Sequence, residues 1–318
     1  MDEFLILVRA IHLASSAMIA GGAIFVHWVA RAASNVDRLG AVRRQMRWWL
    51  GGNLLVAIAS SVAWLALVSA RMADHPVSEV LTDGAAWIVL TQTQFGLVWQ
   101  LRLLCAGILA TMFLLENSSA CSRWSAALAP PAAIFYIGGL AWAGHAGAAP
   151  GGQGYLHLGA DFLHLVAAGT WLGGLPALAL LLGKIPSASE SASQELMYRA
   201  TCRFSDFGVI SVTMLLVSGL INSWFLVGSI QALMGTDYGH LLLVKIVLFV
   251  VMISFAAANR LRHLPRLSPG ATTHQVAEAL RRLRRNTIAE TCLGLGVLVV
   301  VGKLGIVAPV AHLGSHIH

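Results

Sequence analysis

The sequence predicts an all-α, polytopic membrane protein. Three observations carry that prediction. Hydrophobic residues make up 57% of the chain against 11% charged. The mean hydropathy is +0.74. Eight apolar runs have the length of a membrane span. A soluble domain of 318 residues does not have this composition. A spanning helix needs about 20 apolar residues. Runs of that kind fall at 4–30, 47–70, 95–115, 124–143, 155–183, 205–228, 239–258 and 286–308. They use up nearly the whole chain, so no sizeable soluble domain is expected. The opening Met-Asp-Glu-Phe is acidic and lacks the basic stretch of a cleaved leader, so the first run is expected to remain as a helix. Cys105, Cys121, Cys202 and Cys292 are scattered without a CxxC, which points to neither a disulfide framework nor a thiolate site.

The loops set the expected orientation. Sixteen of the 21 Lys and Arg lie in alternate loops. Arg31, Arg38, Arg43, Arg44 and Arg47 follow the first run, and Arg123 lies between the third and fourth. Lys184, Arg199 and Arg203 follow the fifth. Arg260, Arg262, Arg266, Arg281, Arg282, Arg284 and Arg285 separate the seventh from the eighth. The other loops carry Asp74, Glu79, Asp83 and Asp237. The positive-inside rule makes the basic loops cytoplasmic and both termini extracytoplasmic. The third and fourth runs have the thinnest signal, Arg123 against Glu116. The net charge of +7 therefore belongs to the loops. It is no sign of nucleic acid; the lipid bilayer is the partner. Residues 273–285, THQVAEALRRLRR, read either as a short basic helix lying on anionic lipid or as a plain topology signal.

On this topology nine of the twelve histidines fall on the outer side or in the outer half: His12, His75, His145, His157, His164, His240, His312, His316 and His318. His27, His263 and His274 fall inside. Imidazole is the commonest metal-ligand side chain, so the sidedness matters. The tail HLGSHIH either captures metal loosely or is idle.

The stretch YLHLGADFLHLVAAGTWLGG, 155–174, places His157, Asp161 and His164 in an otherwise apolar run. On a helix they fall at i, i+4 and i+7, on one face. Imidazole and carboxylate at the edge of a bilayer are expensive and mark a functional site. Their softness suits copper or zinc. His157 and His164 lie about 10 Å apart along the axis, too far to share an ion. His157 with Asp161, or Asp161 with His164, could each hold one. The alternative is a polar face that hydrogen-bonds neighbouring helices.

The chain also repeats itself. His12-Leu13 with Gly21-Gly22 recurs as His164-Leu165 with Gly173-Gly174, at a constant offset of 152 residues. Thr93, Phe95, Gly96 and Arg102 recur as Thr236, Tyr238, Gly239 and Lys245, at an offset of 143. Residues 1–150 and 151–318 are therefore expected to be two parallel four-helix repeats, related by an axis along the membrane normal. His12 and His164 would lie at equivalent depths, about 12 Å below the outer helix ends, and would face each other near the axis. Arg102 and Lys245 would form an equivalent intramembrane charged pair, functional or structural. The paired glycines would allow close helix contact.

GHAG at 144–147, LHLGADFLHLVAAGTWLGGL at 156–175, RFSDFG at 203–208, TDYGHLLLVK at 236–245, NRLRHLPRL at 259–267 and TQFGLVWQLR at 93–102 together resemble the CopD/PcoD copper-resistance family. The resemblance covers most of the chain. It implies an eight-helix bacterial inner-membrane protein that moves copper, inward, beside a periplasmic CopC-like copper-binding partner. It implies that His12, His157, Asp161 and His164 belong to the family's conserved polar set, and these four are the candidate metal ligands. His145, His240, His312, His316 and His318 are possible accessory ligands. No CopC-like β domain is present in this sequence, so such a partner would be a separate chain. The nine methionines form no clustered MxxxM, which argues against a Met-lined pore.

A copper permease is the first function expected. The alternative is a b-type haem redox protein with His12 and His164 as axial ligands. A non-catalytic membrane scaffold is the third. Nothing indicates an enzyme, and the absence of a nucleotide-binding motif excludes direct drive by ATP.

Overall fold

Inside a bilayer each backbone N–H and C=O needs a partner within the segment, which forces apolar runs into helices. A computed structural model describes residues 2–30, 40–80, 82, 84–115, 121–144, 151–184, 191–268 and 270–307. Among these residues there is no strand. The helices are α1 (Asp2–Ile24), α2 (Gly40–Ala73), α3 (Ala85–Gln92), α4 (Gln94–Leu115), α5 (Cys121–Gly138), α6 (Gly151–Lys184), α7 (Ser191–Leu226), α8 (Ile230–Gly235), α9 (Asp237–Ala258) and α10 (Thr273–Leu304). α1 runs on through a π turn at Phe25–Ala30. A π turn at Asn259–His263 and a 3-10 turn at Leu264–Leu267 follow α9.

Seven of the described segments are long and apolar enough to cross a membrane: those in α1, α2, α4, α6, α7, α9 and α10. The run expected at 124–143 is different. Its apolar part is the shorter stretch Ala127–Ala143. α5 carries Pro130 and Pro131 inside it and tightens into a 3-10 turn at Gly139–Ala143.

Several helices outrun their apolar stretches. α7 begins at Ser191, where an Arg199–Glu195 pair one turn apart supports its polar start. Gln194 Nε2 also donates to the carbonyls of Leu267 and Ser268. The basic segment 273–285 is not a separate surface helix. It is the first three turns of α10, opened by a capping box between Thr272 and Gln275. Val276, Ala279 and Leu283 bury the face it turns to the bundle. An amphipathic pattern of that kind fits bundle edge and lipid surface equally, so sequence alone leaves the choice open.

α1 and α6 form the centre. α1 packs on α2 and α5, and α4 packs on α5; α6 packs on α7 and α10, and α9 packs on α10. Further contacts join these groups, α1 with α10, α5 with α6 and α2 with α6. The central crossing is backbone on backbone. A Cβ on Gly21 would collide with the main chain of Gly169, Gly173 and Gly174. One on Gly173 would collide with the Ala17 carbonyl and the Gly21 nitrogen.

Two junctions share one geometry. α3 breaks at Thr93 (φ −117°, ψ 154°) before α4, and α8 breaks at Thr236 (φ −125°, ψ 154°) before α9. Each Thr hydroxyl accepts from a glycine N–H three residues on, Gly96 at 3.0 Å and Gly239 at 3.1 Å. A Cβ on either glycine would overlap carbonyl oxygens of the preceding short helix, at Leu90 and Leu233. Six residues beyond each glycine stands the cation noted in the sequence, Arg102 on α4 and Lys245 on α9.

Candidate functional site

The structure builds two histidine–cation units. In the first, α1 presents His12, fully enclosed at 0% exposure. Its Nδ1 lies 3.1 Å from the Ala57 carbonyl and 3.0 Å from Ser60 Oγ, both on α2. Its Nε2 lies 2.9 Å from Arg102 Nη1 on α4. A guanidinium can only donate, so Nε2 accepts and Nδ1 carries the proton. Arg102 is fixed in turn. Nε donates to the Tyr136 carbonyl at 2.9 Å and Nη2 to Ser16 Oγ at 3.2 Å. The rings of Trp99 and Tyr136 lie 5.0 and 4.7 Å from its guanidinium carbon. Trp64 and Trp99 close the imidazole in, with ring centroids at 5.4 and 5.7 Å.

The second unit repeats the pattern with looser parts. α6 presents His164, whose Nδ1 lies 3.0 Å from Ser218 Oγ on α7. The Ser218 hydroxyl itself donates to the Met214 carbonyl, so it accepts from Nδ1–H. Nε2 lies 3.3 Å from Lys245 Nζ on α9. Asp161 stands one turn along α6 and accepts from Asn222 Nδ2 at 3.2 Å. It also interacts electrostatically with Lys245 and with Tyr238. Gly144, where the GHAG motif begins, lies beside the Asp161 carboxylate. His164, Asp161 and Lys245 are all part-exposed, unlike His12 and Arg102.

The two units differ in what the cation can do. Arg102 is pinned by four residues, His12, Ser16, Trp99 and Tyr136, and the described contacts give it no acid. Lys245 has a flexible stem and, besides His164, an acid to move to. A lysine ammonium is a mobile point charge, whereas the guanidinium fork fixes geometry. The Nε2 lone pair is the atom a metal would need. In the second unit the side chain covering it has an alternative partner.

His12 and His164 do not face each other. Each is turned to partners of its own half, so the expectation of a shared site between them, copper or haem, is corrected. The physical reason is the glycine crossing. Backbones that touch leave no room between α1 and α6, and the polar side chains turn outward to α2 and α4 or to α7 and α9. Arg9 of α1 lies over Trp64, 4.7 Å from the ring, and against Gly305. His157 is buried and stacks on Phe225 with centroids 5.0 Å apart. His240 is exposed, and its Nε2 donates to the Met234 carbonyl at 2.8 Å. His145, His312, His316 and His318 lie outside the described residues. Among the described residues no three His, Cys, Asp or Glu side chains converge as a ready metal cage.

Sequence reasoning missed Ser60, Ser218 and Asn222, the residues that orient the histidines and the acid. Each is a polar side chain inside an apolar run, and that was the available signal.

The chain matches two family models. "Copper resistance protein D" matches residues 198–304, and "Copper resistance protein D-like, N-terminal domain" matches residues 1–156. It is 30% identical to "Copper resistance protein D" of Pseudomonas syringae pv. tomato, over 98% of this chain and 99% of that relative. It is 28% identical to "Inner membrane protein YebZ" of Escherichia coli (strain K12), over 96% of this chain and 98% of the relative. It is 29% identical to "Copper transport protein CutJ" of Bacillus subtilis (strain 168), over 76% of this chain but only 43% of that relative. No solved structure matches.

Proposed function

The chain belongs to the copper resistance protein D family, and on that premise we propose that it carries copper ions across the bacterial inner membrane, inward from the periplasm. The observation that carries this is the His164–Asp161–Lys245 cluster. A cation covers the metal-binding lone pair of His164, and a carboxylate one turn away is ready to take that cation. Arriving copper displaces Lys245 from His164, and Lys245 settles on Asp161. Asp161 and Ser218 then hold the imidazole in place, as outer partners of a metal ligand do. His157, about 10 Å along α6, and the exposed His240 are stations on the approach. His12 shares the polar set, but in this arrangement it holds Arg102.

An inside-negative potential favours inward movement of a cation by about 2.3 kcal/mol per charge per 100 mV. We assign eight spans by counting α5 with the seven longer helices, and both termini to the periplasm on the arginine distribution. Residues 1–150 and 151–318 are two parallel repeats. The matched threonine–glycine junctions, the matched histidine–serine–cation units and the contact between Gly21 and Gly173 support this. A separate CopC-like protein is the proposed donor of the ion.

The test is copper content of the purified protein, wild type against variants of the cluster. Lys245→Met removes the competing charge and is expected to bind copper more tightly at equilibrium. A charge of like sign about 4 Å away, at an intermediate dielectric, is worth about 1–4 kcal/mol, so the gain is roughly tenfold or more. Competition against a chelator measures it. Unchanged or weaker binding would remove Lys245 from the mechanism.

A further inference from the structure

A second polar feature lies at the other end of the bundle, outside the histidine units. A cavity of about 260 Å³ opens between α6, α7, α9 and α10. Along α6 it begins near Trp171 and includes Leu175, about 16 Å beyond His164 by helical rise. Glu290 of α10 lines it with 2% of its surface exposed. Asn259 Nδ2 donates to Glu290 Oε1 at 2.8 Å, and Asn286 Nδ2 donates to Asn259 Oδ1 at 2.9 Å. Thr287, one turn before, is 1% exposed, and its hydroxyl has no hydrogen-bond partner among the described residues. A carboxylate so enclosed costs several kcal/mol unless it binds a proton or a cation.

The lining decides which. Hard metal ions take six or more oxygen ligands, or retain a shell of waters. Here the acid and one free hydroxyl stand in a mostly apolar wall. Copper wants sulfur or imidazole, and among the described residues no His, Cys or Met lines the cavity. The charges facing Glu290 are few. α6 offers two leucines and the uncharged Trp171, α7 the hydroxyls of Thr201, Ser205 and Thr213, and the turn after α9 the guanidinium of Arg260. Arg260 is already met by Asp206 of α7 at 2.9 Å, at the exposed rim. Among the described residues Glu290 thus has no cation of its own inside the cavity.

We propose that Glu290 is a proton-carrying site through which the pH on its own side of the membrane sets the rate of copper movement. A proton delivered by water at the rim forms an O–H bond at Oε2 while Asn259 holds Oε1, and it returns to water on that side when the carboxylate is released. The effect on copper movement rests on the copper-carrier reading; the proton site itself does not.

Two measurements on the full-length protein test it. The first treats purified wild type with a hydrophobic carbodiimide, which reacts with the protonated form of a carboxylic acid in an apolar setting, and maps the adduct by mass spectrometry. The expected result is modification at Glu290 that falls as pH rises. Absence of modification at every pH overturns the proposal. The second measures copper flux into proteoliposomes as the pH on the Glu290 side is varied. E290Q is expected to lose the dependence on that pH while binding copper like wild type, and E290D to keep it. E290Q flux that responds to that pH like wild type overturns the effect on rate. If wild type moves no copper at all, the copper reading fails, and the carbodiimide result alone decides whether Glu290 carries a proton.

Discussion

Purified His164→Ala is expected to lose the copper that wild type holds, while still inserting in the membrane. The imidazole supplies the lone pair, and nothing else among the described residues of the cluster replaces it. Asp161→Asn is expected to bind more weakly than wild type by about 10–100-fold, the usual effect of removing a partner that orients a ligand. It should therefore lose less than His164→Ala, and both should lower copper accumulation in cells. His12→Ala is the discriminating control. It removes a fully enclosed ring and strips Arg102 of an acceptor, so about 2–4 kcal/mol of stability should go. Its copper content should stay near wild type. The assignment fails if the His12 and His164 variants lose copper equally, or if neither loses any.

The second large effect is on stability. Gly173→Ala adds one carbon where α1 and α6 touch, against the Ala17 carbonyl oxygen. Backbone cannot rotate aside as a side chain can, so the two central helices must separate. A loss of about 3–5 kcal/mol is expected, at the upper end of single substitutions. Thermal unfolding in detergent measures it. Gly52→Ala is the comparison, because a Cβ there meets nothing within 4 Å. In a helix that change should be neutral or stabilising by about 1 kcal/mol. Equal melting temperatures for the two variants would show that the crossing is not tight.

Hydropathy located the helices to within a turn or two where apolar runs ended at charges. It failed at α7 and α10, whose polar first turns are held by capping and by the bundle rather than by lipid. The paired glycines were visible as letters, and their role in a close crossing followed. The direction in which His12 and His164 point was not visible. Helical spacing fixes which residues share a face, but not which neighbour that face meets. The serines that fix the rings lie some fifty positions away on other helices. Asp161 and His164 were readable because α6 brings them together by itself. Lys245 was marked in the sequence only as the counterpart of Arg102, and its approach to His164 needed the third dimension.

Arg9 and Asp161 occupy matching places, three residues before His12 and His164, yet they carry opposite charge. The first unit therefore holds two positive groups, Arg9 and Arg102, and the second a balanced pair, Asp161 and Lys245. On the proposed carrier reading, an arriving cation would meet a potential that repels it from one side of the molecule and tolerates it on the other. The field selects a lane before any ligand is touched, and such steering weakens as salt rises. On the same proposed reading, it would let two similar halves serve a single ion. Reversing the difference with Arg9→Asp and Arg102→Lys together is expected to raise the copper bound per chain above wild type, read by metal analysis. A double variant that folds and binds no more copper than wild type would show that charge alone does not choose the lane.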